Sequence, residues 1–420
     1  MHFTTRLIGL TAAALALLPA CAHADATPTG SLVIIGGALR ADTADVWQRV
    51  VALAGGPGAT IVVIPAAAED PVRSGADTAR LLTRYGAKPV VLPLAPLWPA
   101  GDRGTNTSQA AMVAQLRSAG GVFFTGGEQY RIVAALRRPD GTNSAVLDAI
   151  WSLYRRGGVI AGTSAGAAIM STTMFDQPDE TLSVLNNGAA SPHILGPGLG
   201  FIGPGVFVDQ HFLARGRFGR LLPALQQSGD QLGIGVDENT AIAVHAQREV
   251  EVLGESGVIV MDMRHAEGDA STRSSKLSSA AVHGVELSYL ERGDRLALDT
   301  HTITPSADKL HGLLLNPAAA DYAPVHQAPQ YYPDVLGAHV LRTLMTELID
   351  NSQKQVVGLA FGMPDAPQPQ RGYEFVFRKT AATRGYFVQA PQRNAYTVLG
   401  IEMDMAPVTM QRPLYRRWEE

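Results

Sequence analysis

Residues 158–170 read GVIAGTSAGAAIM. A short apolar run, Gly158 to Ala161, ends in Gly162-Thr163-Ser164-Ala165-Gly166, and a small-residue helical stretch follows. This is a G-x-S-x-G turn between a strand and a helix, the setting in which a serine is lifted out of a sheet as a nucleophile. The glycines have a physical purpose there, because side chains two residues from the serine would clash with the tight turn. The turn also sets Ser164 at a helix N-terminus, where the N–H of Ala165 is aimed to stabilise an oxyanion.

Working outward, the same strand-then-helix alternation recurs upstream. Ser31 to Gly37, Thr60 to Pro65, Pro89 to Leu94 and Gly121 to Thr125 read as short buried strands. Thr43 to Ala54, Asp77 to Tyr85, Ser108 to Ser118 and Ala145 to Arg155 read as the helices between them. Such alternation predicts an α/β fold with three layers: a mostly parallel sheet with helices on both faces. In such sheets function collects at the carboxyl ends of strands, where Gly36-Gly37, Gly126-Gly127 and Gly162 sit. From about residue 240 successive β segments follow, and helical signal returns only at Leu336 to Ile349. The expected organisation is a signal peptide over 1–24, an α/β domain carrying the Ser164 nucleophile over 25–290 and a smaller C-terminal α+β or β-rich domain over 291–420.

Composition bounds the function. At 420 residues, 46% hydrophobic and 17% charged, the chain is long and apolar enough for sizeable cores. A formal net charge of -4 argues against a nucleic-acid partner. Arg6, the apolar run Leu7 to Ala20 and Ala22-His23-Ala24 form a secretory signal with cleavage expected after Ala24, hence a secreted or periplasmic protein. The apolar run is too short to span a bilayer comfortably. Leu18-Pro19-Ala20-Cys21 resembles a lipidation box with an awkward proline, an alternative to simple cleavage. Cys21 is the one cysteine, so the cleaved chain has no disulfide and no cysteine metal site. The scattered histidines and the lack of an HExxH pattern point to no metal and no cofactor.

Partners for Ser164 follow in the chain. His211, in Val208-Asp209-Gln210-His211-Phe212, is a candidate general base. Glu238, in Gly235-Val236-Asp237-Glu238-Asn239-Thr240, is a candidate acid, with Asp237 and Asp209 as rivals. The order Ser, His, acid differs from that of α/β-hydrolases, which would call on a late histidine such as His326 or His339 and would suit a lipase or esterase. Arg215, Arg217 and Arg220 form a local basic patch beside His211, suited to binding carboxylates. In Thr125-Gly126-Gly127-Glu128-Gln129, the Gly127 backbone can supply a second oxyanion N–H and Gln129 can orient substrate.

Taken together, TGGEQ (125–129), GTSAGA (162–167), DQHFLARGRFGR (209–220) and GIGVDENTA (233–241) resemble the cyanophycinases across roughly residues 31–260. The resemblance implies a fold like class I glutamine-amidotransferase domains and aspartyl dipeptidases. It implies Ser164, His211 and Glu238 as nucleophile, base and acid, and Gln129, Asp209, Gln210, Arg215, Arg217 and Arg220 as substrate contacts. Glu128 departs from the shorter Asp expected there and is expected to face the turn. The implied substrate is cyanophycin, a poly-aspartate backbone with arginine on each β-carboxyl, cut to β-aspartyl-arginine. Asp209 and Gln129 would then meet its guanidinium, and a homodimer is implied. An aspartyl dipeptidase acting on small aspartyl peptides, and a secreted binding protein without turnover, are the alternatives.

Overall fold

The computed structural model describes residues 28–99, 108–189, 192–268, 281–324, 331–363, 365–366, 368–389 and 394–411. The expected signal peptide with Cys21, and His326, lie outside these residues.

Five strands come first: β1 (Ser31–Ile35), β2 (Thr60–Ile64), β3 (Lys88–Val91), β4 (Gly121–Phe124) and β5 (Val159–Thr163). They are parallel, in the order β1-β5-β4-β2-β3. Side chains alternate across a strand, so each strand feeds two cores. Leu32, Ile34, Val62, Ile64 and Phe124 pack with Leu116, Ile150 and Leu153 of the helices Gln109–Ser118 and Ala145–Arg155. Val33, Ile35, Ile61, Val63 and Phe123 pack on the opposite face with Val46, Trp47 and Val50 of the helix Ala44–Leu53. Helices therefore cover both faces of the parallel half, as the alternation in sequence predicts. The second helix begins at Pro71 rather than near Asp77, because Asp70 caps it by accepting from the Arg73 N–H and Pro71 fills its first turn.

The strands β6 (Thr173–Phe175) and β7 (Leu195–Pro197) form a small ribbon. A second sheet starts with the parallel pair β8 (Val206–Gln210) and β9 (Leu232–Val236). β10 (Thr240–Val244) and β11 (Glu249–Gly254) return to the first sheet, antiparallel beside β1. β12 (Gly257–Asp262), β13 (Glu267–Gly268) and β14 (Val282–Glu291) go to the second. β15 (Arg295–Ala297) and β16 (Thr302–Thr304) extend the first sheet to nine strands. The short β17 (Leu313–Leu315) and β18 (Tyr331–Tyr332), with β19 (Gln355–Phe361), β20 (Arg371–Gln389) and β21 (Asn394–Thr409), complete the second sheet. Its order is β18-β19-β20-β21-β14-β12-β9-β8, with β17 on β20.

One face of the second sheet, through Val206, Val208, Ile234, Val258 and Val260, packs into the core beside the first sheet. The other face, through Phe207, Ile259, Met261, Leu287 and Tyr289, packs with the helices Phe218–Ser228 and Val340–Ile349.

The boundary expected at residue 290 does not separate two sheets. β15 and β16 belong to the first sheet, and β14 is bonded to β12 on one side and to β21 on the other. The reason is the apolar underside of β12 and β14, which shares one core with Leu344 of the helix Val340–Ile349, Phe375 and Phe377 of β20 and Ile401 of β21. A chain ended at residue 290 would expose that surface and an unpaired β14 edge. Such a truncation is expected to aggregate, whereas the full chain elutes as a defined species; size-exclusion chromatography of both checks this.

Candidate active site

The turn at Ser164 shows why its flanks are glycine. A β-carbon on Gly162 would lie 2.2 Å from the Gly166 carbonyl oxygen, and one on Gly166 would lie 2.6 Å from that of Phe124. The chain is therefore folded back on β4 and β5 more tightly than any side chain permits. Ser164 is held at φ 54° and ψ −111°, a strained conformation for a non-glycine residue, and its N–H donates to the Ile35 carbonyl. Its Oγ consequently projects beyond the sheet.

The base comes from the other sheet. β8 ends at Gln210, and His211 follows at φ 49°, with its N–H donating 2.7 Å to the Gly36 carbonyl at the end of β1. Ser164 Oγ and His211 Nε2 are 2.8 Å apart, and His211 Nδ1 and Glu238 Oε1 are 2.6 Å apart. With the Nδ1 proton donated to Glu238, Nε2 is left to accept from the serine, which is the tautomer a general base requires. Gly37 makes room for the ring, since a β-carbon there would sit 2.3 Å from His211 Cε1. Asn239 supports the same corner: its N–H donates to the Gly37 carbonyl, and its Oδ1 accepts from the Arg40 N–H and the Thr43 hydroxyl. The residue follows the acid directly in sequence, yet nothing in the sequence marks it as a brace.

Burial lowers the His211 pKa below its ordinary value, and the charges of Arg215 and Arg217 add to this, while Glu238 opposes it. The imidazole is accordingly neutral, and able to take a proton, into mildly acidic solution. Glu238 is about one-third exposed and has Arg215 Nε 3.9 Å away.

The rival acids have other duties. Asp237 is fully buried and accepts from the N–H groups of Leu213 and Ala214 and from the Ser256 hydroxyl, so it shapes the loop after His211. Asp209 is also buried, with both oxygens bonded to the Arg220 guanidinium at 2.6 and 2.8 Å. Burial acts to raise the Asp209 pKa, but Arg220 and Arg217 outweigh it and hold the carboxyl below its usual range. The expectation that Asp209 faces a substrate guanidinium is corrected here: its charge is already neutralised inside the protein. Arg220 also stacks over the Phe175 ring at 4.2 Å and is 4% exposed, so its main contacts are internal.

The remaining expected contacts converge on a cleft of about 760 Å³ that contains Ser164, Gly127, Gln129, Gln210, Arg215 and Arg217. Arg220 borders it too. Arg217 donates to both the carbonyl and the side-chain oxygen of Gln210, and burial lowers its pKa to about 10, which leaves it charged at neutral pH. Arg215 is half-exposed. Gln129 donates to the carbonyls of Phe175 and Asp176 and so fixes the chain that leads to the cleft rim at 178–182. Gly126 and Gly127 turn against the nucleophile: a β-carbon on Gly126 would be 3.8 Å from Ser164 Oγ. Glu128, expected to face the turn, borders the cleft and is exposed, because it precedes the helix Gln129–Leu136 rather than entering it. Among the described residues there is no group of three or more metal-ligating side chains, and no helix long and apolar enough to cross a membrane.

The geometry can perform acyl transfer: a serine hydroxyl with its base, a group holding that base, and backbone N–H donors at a helix start. Residues 32–252 match the family described as peptidase family S51. Over 293 residues the chain is 31% identical to a cyanophycinase of Trichormus variabilis, covering 68% of this chain and 91% of that protein. It is 30% identical over 284 residues to a cyanophycinase of Geminocystis herdmanii, covering 64% and 94%. A crystal structure of a peptidase from an acI-B1 Actinobacterium aligns with a TM-score of 0.44 at 23% identity, over 56% of this chain and 91% of that one.

Two measurements test this geometry. Because His211 must be neutral to accept a proton, kcat/KM is expected to rise with pH along an acid limb centred below the ordinary imidazole value of about 6.5. Glu238→Gln removes a partner that raises the histidine pKa, so that limb moves lower still while the rate falls by a factor on the order of 10² to 10⁴; a pH–rate profile of both proteins reads this. Separately, Arg220→Ala leaves the Asp209 carboxylate buried without its partner, and is expected to cost about 3–5 kcal/mol of stability in denaturant titration.

Proposed function

The chain belongs to peptidase family S51 and is a serine-type peptidase; on that premise we propose that it hydrolyses cyanophycin, releasing β-aspartyl-arginine through an acyl-enzyme on Ser164. The observation that carries this reading is the contact chain from Ser164 through His211 to Glu238 in a cleft that also holds Arg215 and Arg217.

In the proposed reaction Ser164 Oγ attacks a backbone carbonyl of the aspartate chain while its proton passes to His211 Nε2. The imidazolium is held by Glu238. The N–H groups of Ala165 and Gly127 stabilise the oxyanion. The C–N bond breaks, His211 returns the proton to the leaving amine, and the acyl group stays on Ser164 as an ester. Water, deprotonated by His211, then hydrolyses the ester and restores the serine.

Substrate chemistry agrees with the cleft. Each unit of cyanophycin carries a free arginine carboxylate, for which the forked cations of Arg215 and Arg217 are suited. The N-terminal sequence supports export, with the mature chain starting at Asp25.

Incubating the purified protein with insoluble cyanophycin, beside Ser164→Ala, tests the proposal by mass spectrometry of soluble products. Wild type is expected to release β-aspartyl-arginine, and Ser164→Ala to be slower by a factor on the order of 10⁶. A folded wild type that releases nothing, or one that cleaves only short aspartyl peptides, overturns the polymer reading.

A further inference from the structure

The cleft is completed by chain that lies outside the family match. That match ends at residue 252, yet Asp334, Leu336 and the segment 360–363 line the same space as Ser164 and Arg217. These residues stand between β18 and the helix Val340–Ile349, and at the end of β19.

The backbone that carries Asp334 is fixed. Val335 beside it is fully buried, and its N–H donates 2.9 Å to the Leu359 carbonyl. The Leu336 carbonyl presses on Gly216, where a β-carbon would be 1.7 Å from it. Three residues on, the His339 N–H donates 2.7 Å to the carbonyl of Leu213, in the loop that follows the base. Asp334 is thereby tied to the arginine-bearing loop that helps line the cleft. Its own side chain is exposed, and among the described residues it has no ion-pair partner. Asp179 and Glu180 border the same cleft and add to its negative field.

A carboxylate on rigid backbone, facing a reactive cleft and left uncompensated, is a preorganised acceptor for a cation. Of the cations in the cleft, Arg217 is bonded to Gln210 and Arg220 to Asp209, and among the described residues no ion pair joins Arg215 to Asp334. We propose that Asp334 is a specificity-determining residue that binds the guanidinium of the substrate's arginine branch, so that the C-terminal segment selects an arginine-bearing chain. This rests on the reading of the substrate as cyanophycin. It replaces the role expected for Asp209, whose charge Arg220 occupies.

The test uses the full-length Ser164→Ala protein, which binds without turnover. Calorimetry measures its affinity for a dimer of β-aspartyl-arginine and for the same dimer with citrulline in place of arginine, which keeps the shape and removes the charge. The arginine ligand is expected to bind more tightly. Adding Asp334→Asn should shrink that preference about tenfold, the size of a charge-assisted hydrogen bond, while Asp334→Glu retains most of it. An unchanged preference in the folded Asp334→Asn protein, with arginine ligand still bound, overturns this inference alone. No binding of either ligand to the Ser164→Ala protein overturns the substrate reading, and this inference with it.

Discussion

One backbone hydrogen bond, from the His211 N–H to the Gly36 carbonyl, holds the reactive corner together. The nucleophile directly follows β5 of the first sheet, and the base directly follows β8 of the second. Neither sheet alone contains a reacting pair. Ser164 donates its N–H to Ile35 and His211 donates to Gly36, so consecutive carbonyls at the end of β1 fix both residues to one segment. The 2.8 Å contact between Oγ and Nε2 then rests on these two main-chain bonds together with the Glu238 contact that orients the ring. Main-chain anchoring of this kind suits a site that must hold its geometry to a fraction of an ångström.

Strain at that corner is supported by the cores around it. Both Ser164 and His211 have positive φ, as does Asn239 beside the acid. Such conformations cost of order 1 to 3 kcal/mol each and persist only where the surroundings over-determine them. Here the surroundings are the shared core of the two sheets, the close approach of Gly162 and Gly166, and the buried carboxylate of Asp237 gathering the amides after His211.

The parallel half of the fold was legible because its strands are short apolar runs separated by helices of period 3.6, and each run delivers alternate residues to two cores. The elbow was legible because only glycine fits two residues either side of Ser164. The second sheet was not. β20 and β21 are 19 and 16 residues long and carry many polar side chains, so only fragments of them look like strands in sequence. Their pairing with β14 is a long-range fact that no local pattern encodes. The sharing of both sheets by strands on either side of residue 290 was illegible for the same reason. At the site, the residue types around Ser164 were readable, but their internal partners were not. Asp209 and Glu238 are both carboxylates at the end of an apolar run in sequence, and only burial separates the one bonded within the protein from the one beside the histidine. Asp334 carries no sequence signal, since it is brought to the cleft by tertiary packing alone.

The ordering of the second sheet has a consequence for when the site can exist. As the chain is made from its N-terminus, β1 through β5 have one another to pair with almost at once. β14 must wait until the last described strand, β21, has been synthesised before both its edges are bonded. The Leu213 carbonyl likewise waits for His339. Contacts between such distant parts of a chain form late and slowly, because the loop must close before any contact stabilises it. The loop bearing the base thus gains its last brace, the His339 bond to Leu213, only once the chain extends past residue 339, whereas the bonds from Ser164 and His211 to Ile35 and Gly36 need far less of it.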